Sequence, residues 1–215
     1  MDYGKSFSYT FKDEKWISKF LVGVVVSLIP IVNLAAVGYI VELVRNVRDG
    51  LKTPLPEWDD FGGFFISGLK FFLGTLAYAL PAILVSLFAI PFSIIGGDQP
   101  GAFIQLAIIG ATMVSMLLGV LVTVLLPVLL VQFAKREQIS DMFAFSEMWD
   151  MIRSDFVTYI VILIFLFFAT SIVAGAGIIA CFIGVFFTSW YAYLISGHLV
   201  GQYASLQPGT EKSAR

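Results

Sequence analysis

Cysteine and histidine occur once each in the 215 residues, as Cys181 and His198. A lone cysteine excludes an intrachain disulfide and any Cys-rich metal cluster. Cys181 stands inside the apolar run GIIACFIGVFF and reads as a small buried side chain. A lone histidine leaves no set of three or four His and Cys ligands for zinc, so a metal enzyme would have only carboxylates to work with. Charge is also scarce, at 13% of residues against about 25% in an ordinary soluble domain. Thirteen Lys and Arg against fifteen Asp and Glu give a net charge of −2, which offers no basic stripe for nucleic-acid phosphates. There is no Gly-x-Ser-x-Gly sequence, no phosphate-cradling glycine loop and no Ser or Cys motif that would partner His198. The expectation is a protein that is not an enzyme, holds no cofactor or metal and does not bind nucleic acid.

Apolar residues are what the chain has in excess: 59% are hydrophobic and 15% aromatic. Residues 64–95 and 102–134 form two long unbroken apolar runs, each past the roughly 20 residues needed to cross a ~30 Å hydrocarbon layer. Residues 156–203 form a third, interrupted only by Gly175-Ala176-Gly177, and this predicts two helices joined by a tight turn there. Residues 16–47 are harder to place. As one helix they would reach about 48 Å, too long for one upright span and too short for two. Pro30 and Asn33 fall at the middle, and proline removes a backbone donor and disfavours helix in the residue before it, so Ile29-Pro30-Ile31-Val32-Asn33 is a plausible break. The fold class is therefore all-α: a polytopic helical membrane protein, a single domain over residues 1–215. Its three hairpins lie at about 16–47, 64–134 and 156–203, giving four full spans plus a shallow or kinked first hairpin. Short interfacial amphipathic segments precede them, and a polar tail covers 205–215.

The three hairpin tips, Ile31-Val32-Asn33, Gly96 to Gly101 and Gly175-Ala176-Gly177, contain no Lys or Arg. The basic residues lie before, between and after the hairpins, which by the positive-inside bias predicts a multi-pass protein of the cytoplasmic membrane with both termini inside. A single crossing of residues 16–47 would instead put Lys5, Lys12, Lys15 and Lys19 outside, and both arrangements remain open. The N-terminus has a superficial signal-peptide outline, but Asp2, Asp13 and Glu14 make its basic region too acidic and the apolar run continues to Val44.

An aromatic segment with acids and a tryptophan precedes each hairpin. These segments contain Phe11, Asp13 and Trp16, then Glu57, Trp58, Asp59 and Asp60, then Phe143, Phe145, Glu147 and Trp149. Tryptophan prefers the headgroup region while carboxylates stay in water, so Trp16, Trp58, Asp59, Asp60, Phe143, Phe145 and Trp149 are the candidate contact surface, or else plain interfacial anchors. Asp59 and Asp60 could also cap a helix starting at Phe61. The hairpin ends Gly38-Tyr39-Ile40-Val41 and Gly197-His198-Leu199-Val200 share a glycine and a valine, suggestive of duplication.

Polar residues inside the apolar runs are the other candidates, because such groups are costly in hydrocarbon unless partnered. Glu42 is one turn before Arg45 and predicts a local ion pair. His198, four residues before Gln202, reads as a hydrogen-bonded packing residue. Gln105 and Gln132 lie toward opposite ends of one run, where both can snorkel to the interface, and Asn33 can bond the broken backbone at its turn. Gly197-x-x-x-Gly201, Gly110, Gly119, Gly184 and Ala107-x-x-x-Ala111 are expected to let helices approach closely, within the chain rather than in a dimer.

Trp16-Ile17-x-Lys19-Phe20-Leu21-x-Gly23, Ile29-Pro30, Gly38-Tyr39 and Leu55-Pro56-Glu57-Trp58-Asp59-Asp60 resemble the membrane-protein family catalogued as domain of unknown function 4013, found in archaea and some bacteria. The resemblance implies a prokaryotic multi-span membrane protein and no catalytic residue. Two functions remain: an accessory or scaffold protein binding another membrane protein or lipid through the aromatic-acidic surface, and a small oligomeric transporter or channel for an apolar or lipid-like substrate. The expected partners are the lipid bilayer, another membrane protein or a second copy of the chain.

Overall fold

The computed structural model describes residues 1–96, 101–179 and 183–207. The described residues contain α-helix and short 3-10 turns and no strand. Asp2 opens the chain by accepting the Lys5 amide at 2.9 Å and capping α1 (Tyr3–Ser8), which a 3-10 turn (Thr10–Lys12) extends. The first apolar segment is two helices, α2 (Trp16–Leu28) and α3 (Asn33–Arg48). Proline at position 30 leaves Ile29 extended at φ −91° and ψ 115°, and Ile31 then reverses the chain at φ 71°, a left-handed conformation that is a genuine outlier for a β-branched residue. At the opposite end the start of α2 meets the loop after α3, where Trp58 Nε1 donates to the Lys19 carbonyl at 2.9 Å. With 13 and 16 residues, about 20 and 24 Å, neither helix alone crosses a ~30 Å layer.

The remaining helices are α4 (Phe61–Gly96), α5 (Ala102–Arg136), a 3-10 turn (Ile139–Phe143), α6 (Phe145–Ser154), α7 (Phe156–Ile179) and α8 (Ile183–Leu206). Asp60 accepts the Gly63 amide at the start of α4, and Asp155 accepts the Thr158 amide at the start of α7, so an aspartate caps two of the long apolar helices. Among the described residues three helices, α4, α5 and the 156–177 part of α7, are long and apolar enough to cross a membrane. The expected turn at Gly175-Ala176-Gly177 is corrected: these residues are helical, within the last two turns of α7. Glycine and alanine are tolerated inside an apolar helix, and the bare Cα of Gly177 lets the Val185 backbone and Thr188 side chain of α8 come close. Most of the tip expected at Gly96 to Gly101, Cys181, and most of the polar tail lie outside the described residues.

The chain forms two compact units, one made of Met1–Phe72 with the chain from Pro127 onward, the other of Leu73–Leu126. In the first, α3 is the central helix, flanked by α8, α2 and the start of α4. Val41, Leu43 and Val44 are fully buried, and Tyr39 shares a core with Tyr9, Leu55, Phe64, Trp190 and Leu194. Glycines set the closest approaches. A Cβ on Gly38 would overlap the Phe64 carbonyl of α4, one on Gly68 would overlap the Leu34 carbonyl of α3, and Gly197 and Gly201 of α8 face Leu43 and Val47 of α3. The second unit holds the distal parts of α4 and α5, joined by Ser86 Oγ donating to Ser115 Oγ at 3.0 Å and Ser115 Oγ to the Ala82 carbonyl at 3.3 Å. Its outer residues, including Leu84, Phe88, Met116 and Leu117, are exposed, as a lipid-facing surface would be. Gly110 and Gly119 meet nothing within 4 Å, so the close helix packing expected of them within the chain does not occur.

Candidate functional site

The N-terminal segment is seated on α8 by polar contacts. Ser6 and Thr10 are fully buried and Tyr9 nearly so. The Tyr9 hydroxyl donates to the Leu194 carbonyl at 2.9 Å, and its ring stacks on His198 with centroids 4.1 Å apart. Burial raises the Tyr9 phenol above its ordinary range, so it remains a donor at any physiological pH. Gln202 engages Asp2 from both sides, its Oε1 accepting the Asp2 amide at 2.7 Å and its Nε2 donating to the Asp2 carbonyl at 2.9 Å.

Ser6 Oγ lies 2.9 Å from His198 Nδ1, with Gln202 Nε2 3.1 Å from the same nitrogen. A hydroxyl on an imidazole is the arrangement from which a serine nucleophile is activated. Here Ser6 is 0% and His198 2% exposed, and Tyr9 covers the ring, so no substrate carbonyl reaches the oxygen. The pair is a buried hydrogen-bonded contact between α1 and α8.

The three aromatic-acidic segments separate in the structure. Trp58 is half-buried, stacked on Tyr39 with centroids 4.4 Å apart, and Trp16 is half-buried between Phe11 and Phe20. Both belong to the first unit's packing rather than to an outward face. Asp59 and Asp60 are exposed, and Asp60 is the cap of α4. The third segment differs. On α6, Met148 and Met151 are buried, while Phe145 is 62% and Trp149 58% exposed, and Phe143 flanks Phe145 at 6.4 Å. This helix is amphipathic in the plain sense, with methionines inward and aromatics outward. Its Glu147 accepts from Lys135 at 3.1 Å, and that ammonium holds the carboxyl below its usual range. Behind the helix, an open cleft of about 320 Å³ is lined by Lys135, Glu147, Asp150, Met151, Ser154 and Gln207.

Gln132 is corrected. It does not snorkel; it is fully buried, its Nε2 donating to Glu147 at 3.4 Å and its Oε1 without a donor among the described residues. The reason is α6, which lies over this end of α5. Gln105 is exposed in the second unit. Asn33 is exposed at the first turn of α3, where its backbone amide rather than its side chain bonds the Ile29 carbonyl at 2.9 Å. Asn33, Gln132 and His198 do not line the cleft behind α6. Glu42 pairs with Arg45 at 2.8 Å as expected, and Arg45 continues to Glu137 at 2.6 Å.

Sequence reading missed two features. Lys19 is buried on Asp13 at 2.7 Å and also donates to the Leu55 carbonyl at 3.0 Å. The Lys19 at the head of an apolar helix, six residues after Asp13, is the signal that was present. The other is Lys70, which lies inside the second hairpin's apolar run, in the third turn of α4, a lone cation in an apolar helix. Among the described residues no group of His, Cys, Asp and Glu is placed to hold a metal ion.

No curated protein and no solved structure matches the chain. A family model does, over residues 22–188, from the second turn of α2 into α8. Its span takes in Trp58, Lys70, Gln132 and α6 and leaves out the N-terminal segment with its partners His198 and Gln202. Since it covers well over half of the sequence, the chain belongs to the family described as "Protein of unknown function (DUF4013)".

Proposed function

We propose that the protein is a non-enzymatic accessory or scaffold of the cytoplasmic membrane, with both termini inside, that holds another membrane protein through the outer face of α6. The supporting observation is the exposure of Phe145 and Trp149 on a helix whose other side is anchored by buried Met148 and Met151. Large aromatics presented on a fixed helix are the usual anchors of a protein interface. Glu147 and Asp150 line the cleft behind the helix, which leaves Arg153 as the single basic residue of α6, short of the basic cluster that an anionic lipid surface attracts. Nothing comparable supports the carrier reading.

Phe145→Ala with Trp149→Ala is expected to leave the fold intact, since both side chains are exposed, and to weaken partner binding about 30-fold, from ~2 kcal/mol for an aromatic anchor. A photo-crosslinking residue placed at Trp149 in native membranes should trap one discrete protein, and Phe145→Ala should abolish that band. If the crosslinks go only to lipid, and brominated phospholipids quench Trp149 fluorescence, α6 is a membrane anchor and the scaffold reading fails.

A further inference from the structure

A second cleft, of about 440 Å³, opens where α3 and α5 end, a size within the usual range of about 300–1,000 Å³ for small-molecule sites. The end of α3 contributes Arg45, Arg48 and Asp49 to it, and the end of α5 contributes Lys135, Arg136 and Glu137. From α4 comes Lys70. Five cations therefore face two carboxylates.

Most of these cations are already committed. Arg45 gives its three nitrogens to Glu42, Glu137 and the Ala134 carbonyl. Arg136 holds Asp141 through two bonds of 3.0 and 2.8 Å, and Lys135 holds Glu147. Two donors are left over. Arg48 donates Nε to Asp49 and Nη1 to the Ala134 carbonyl, which fixes the guanidinium and leaves Nη2 without an acceptor among the described residues. Lys70 has no acceptor among them at all.

A helix-end role accounts for Arg45 and Arg48, whose guanidiniums both donate to the Ala134 carbonyl in the last turn of α5. It does not account for Lys70, which caps no helix end and stands in apolar sequence where an ammonium is costly without a counter-charge. One turn before it on the same side of α4, Ile66 is 55% exposed. A cationic cleft beside bare apolar helix surface suits a molecule that is anionic at one end and apolar at the other. A small soluble anion gains nothing from the apolar part.

We propose that this cleft binds the phosphodiester headgroup of an anionic phospholipid, with Lys70 Nζ and the free Nη2 of Arg48 as its donors and the acyl chains against the exposed apolar side of α4. Basic pockets at the ends of membrane helices are suited to such headgroups, and each nearby cation adds about fivefold to affinity for an anionic lipid. The site is separate from the outer face of α6, so Phe145→Ala with Trp149→Ala leaves it unchanged and the two readings fail separately.

The test uses the full chain in an uncharged detergent, with added phosphatidylglycerol, phosphatidylcholine or inorganic phosphate, read by native mass spectrometry and thermal midpoint. Phosphatidylglycerol should bind at least fivefold more tightly than phosphatidylcholine and raise the midpoint. Lys70→Gln should lower the phosphatidylglycerol affinity about fivefold and Lys70→Glu further, with Lys70→Arg retaining it and phosphatidylcholine unaffected. Lys52→Gln, an exposed loop substitution, should change nothing. The proposal is overturned if folded Lys70→Glu binds phosphatidylglycerol as wild type does, or if Lys52→Gln loses as much, which would mean unspecific surface charge. Competition by inorganic phosphate at equal concentration would overturn it as well, by making the ligand a soluble anion.

Discussion

Gly38→Ala is expected to destabilise the protein by about 3 kcal/mol, the upper end of the usual overpacking range, although it adds only one methyl group. The new Cβ would collide with the Phe64 carbonyl, which is backbone, and its nearest three neighbours are all backbone atoms of Phe64. No rotamer change relieves that contact; α3 and α4 must separate. Gly68→Ala should do the same from the other helix, since its Cβ meets the Leu34 carbonyl and the Gly38 amide. Because either substitution already forces the helices apart, the double variant should cost clearly less than the two single costs added together. Gly119→Ala supplies the control. With nothing within 4 Å of its Cβ, it should be neutral or stabilising by up to ~1 kcal/mol from helix propensity. Unfolding midpoints by circular dichroism in detergent separate the cases. A wild-type midpoint for Gly38→Ala would mean that α3 and α4 do not lie in backbone contact.

That contact shows how much of the fold is legible in the residues and where legibility stops. Apolar run length is enough to find α4, α5 and α7, because a bilayer demands that length whatever surrounds the helix. Pro30 marks the break between α2 and α3 through covalent restriction of its own neighbours, and Asp60 caps α4 three residues away. These are local causes, and local causes can be read in order along the chain. Gly38 and Gly68 are different. Nothing nearby in sequence distinguishes them from Gly110 and Gly119, which meet open space; only the opposing helix does.

The candidate site divides in the same way. Trp16, Trp58 and Trp149 sit in similar aromatic-acidic sequence, yet two are packed inward and one is exposed. For Trp58 the deciding partners are the Tyr39 ring and the Lys19 carbonyl, 39 residues away in the case of Lys19. Ser6 and Tyr9 find theirs 192 and 185 residues away on α8. A polar segment before a hydrophobic run looks solvated until the helix that covers it is known. Gln132 was misplaced for the same reason, since its burial depends on α6 rather than on its position along α5.

Breaking the buried pair at the head of α2 should have the largest effect of any single polar substitution. Lys19 and Asp13 are 2.7 Å apart with side chains only 6% and 8% exposed, so solvent screens them little. Removing one partner of such a pair strands the other charge and costs about 3–5 kcal/mol. The two ends are not equivalent, however. Lys19→Met leaves Asp13 with only the Lys15 amide, and it also removes the donor to the Leu55 carbonyl. Asp13→Asn leaves Lys19 with that carbonyl and with Glu57 at 3.2 Å, a carboxylate that is half exposed and can follow the ammonium. Lys19→Met should therefore be the worse of the two, near the top of the range. The double variant should recover part of the loss, since a neutral pair of similar volume is often tolerated at buried ion-pair sites. Thermal midpoints of the four proteins form a double-mutant cycle that reads the coupling directly. A second consequence follows from position. Asp13 lies between the N-terminal segment and α2, so Lys19→Met should also loosen Tyr9 and Ser6 from α8 and hasten amide hydrogen exchange over residues 3–12. Additive losses in the cycle with unchanged exchange would show that the pair does not hold that segment in place.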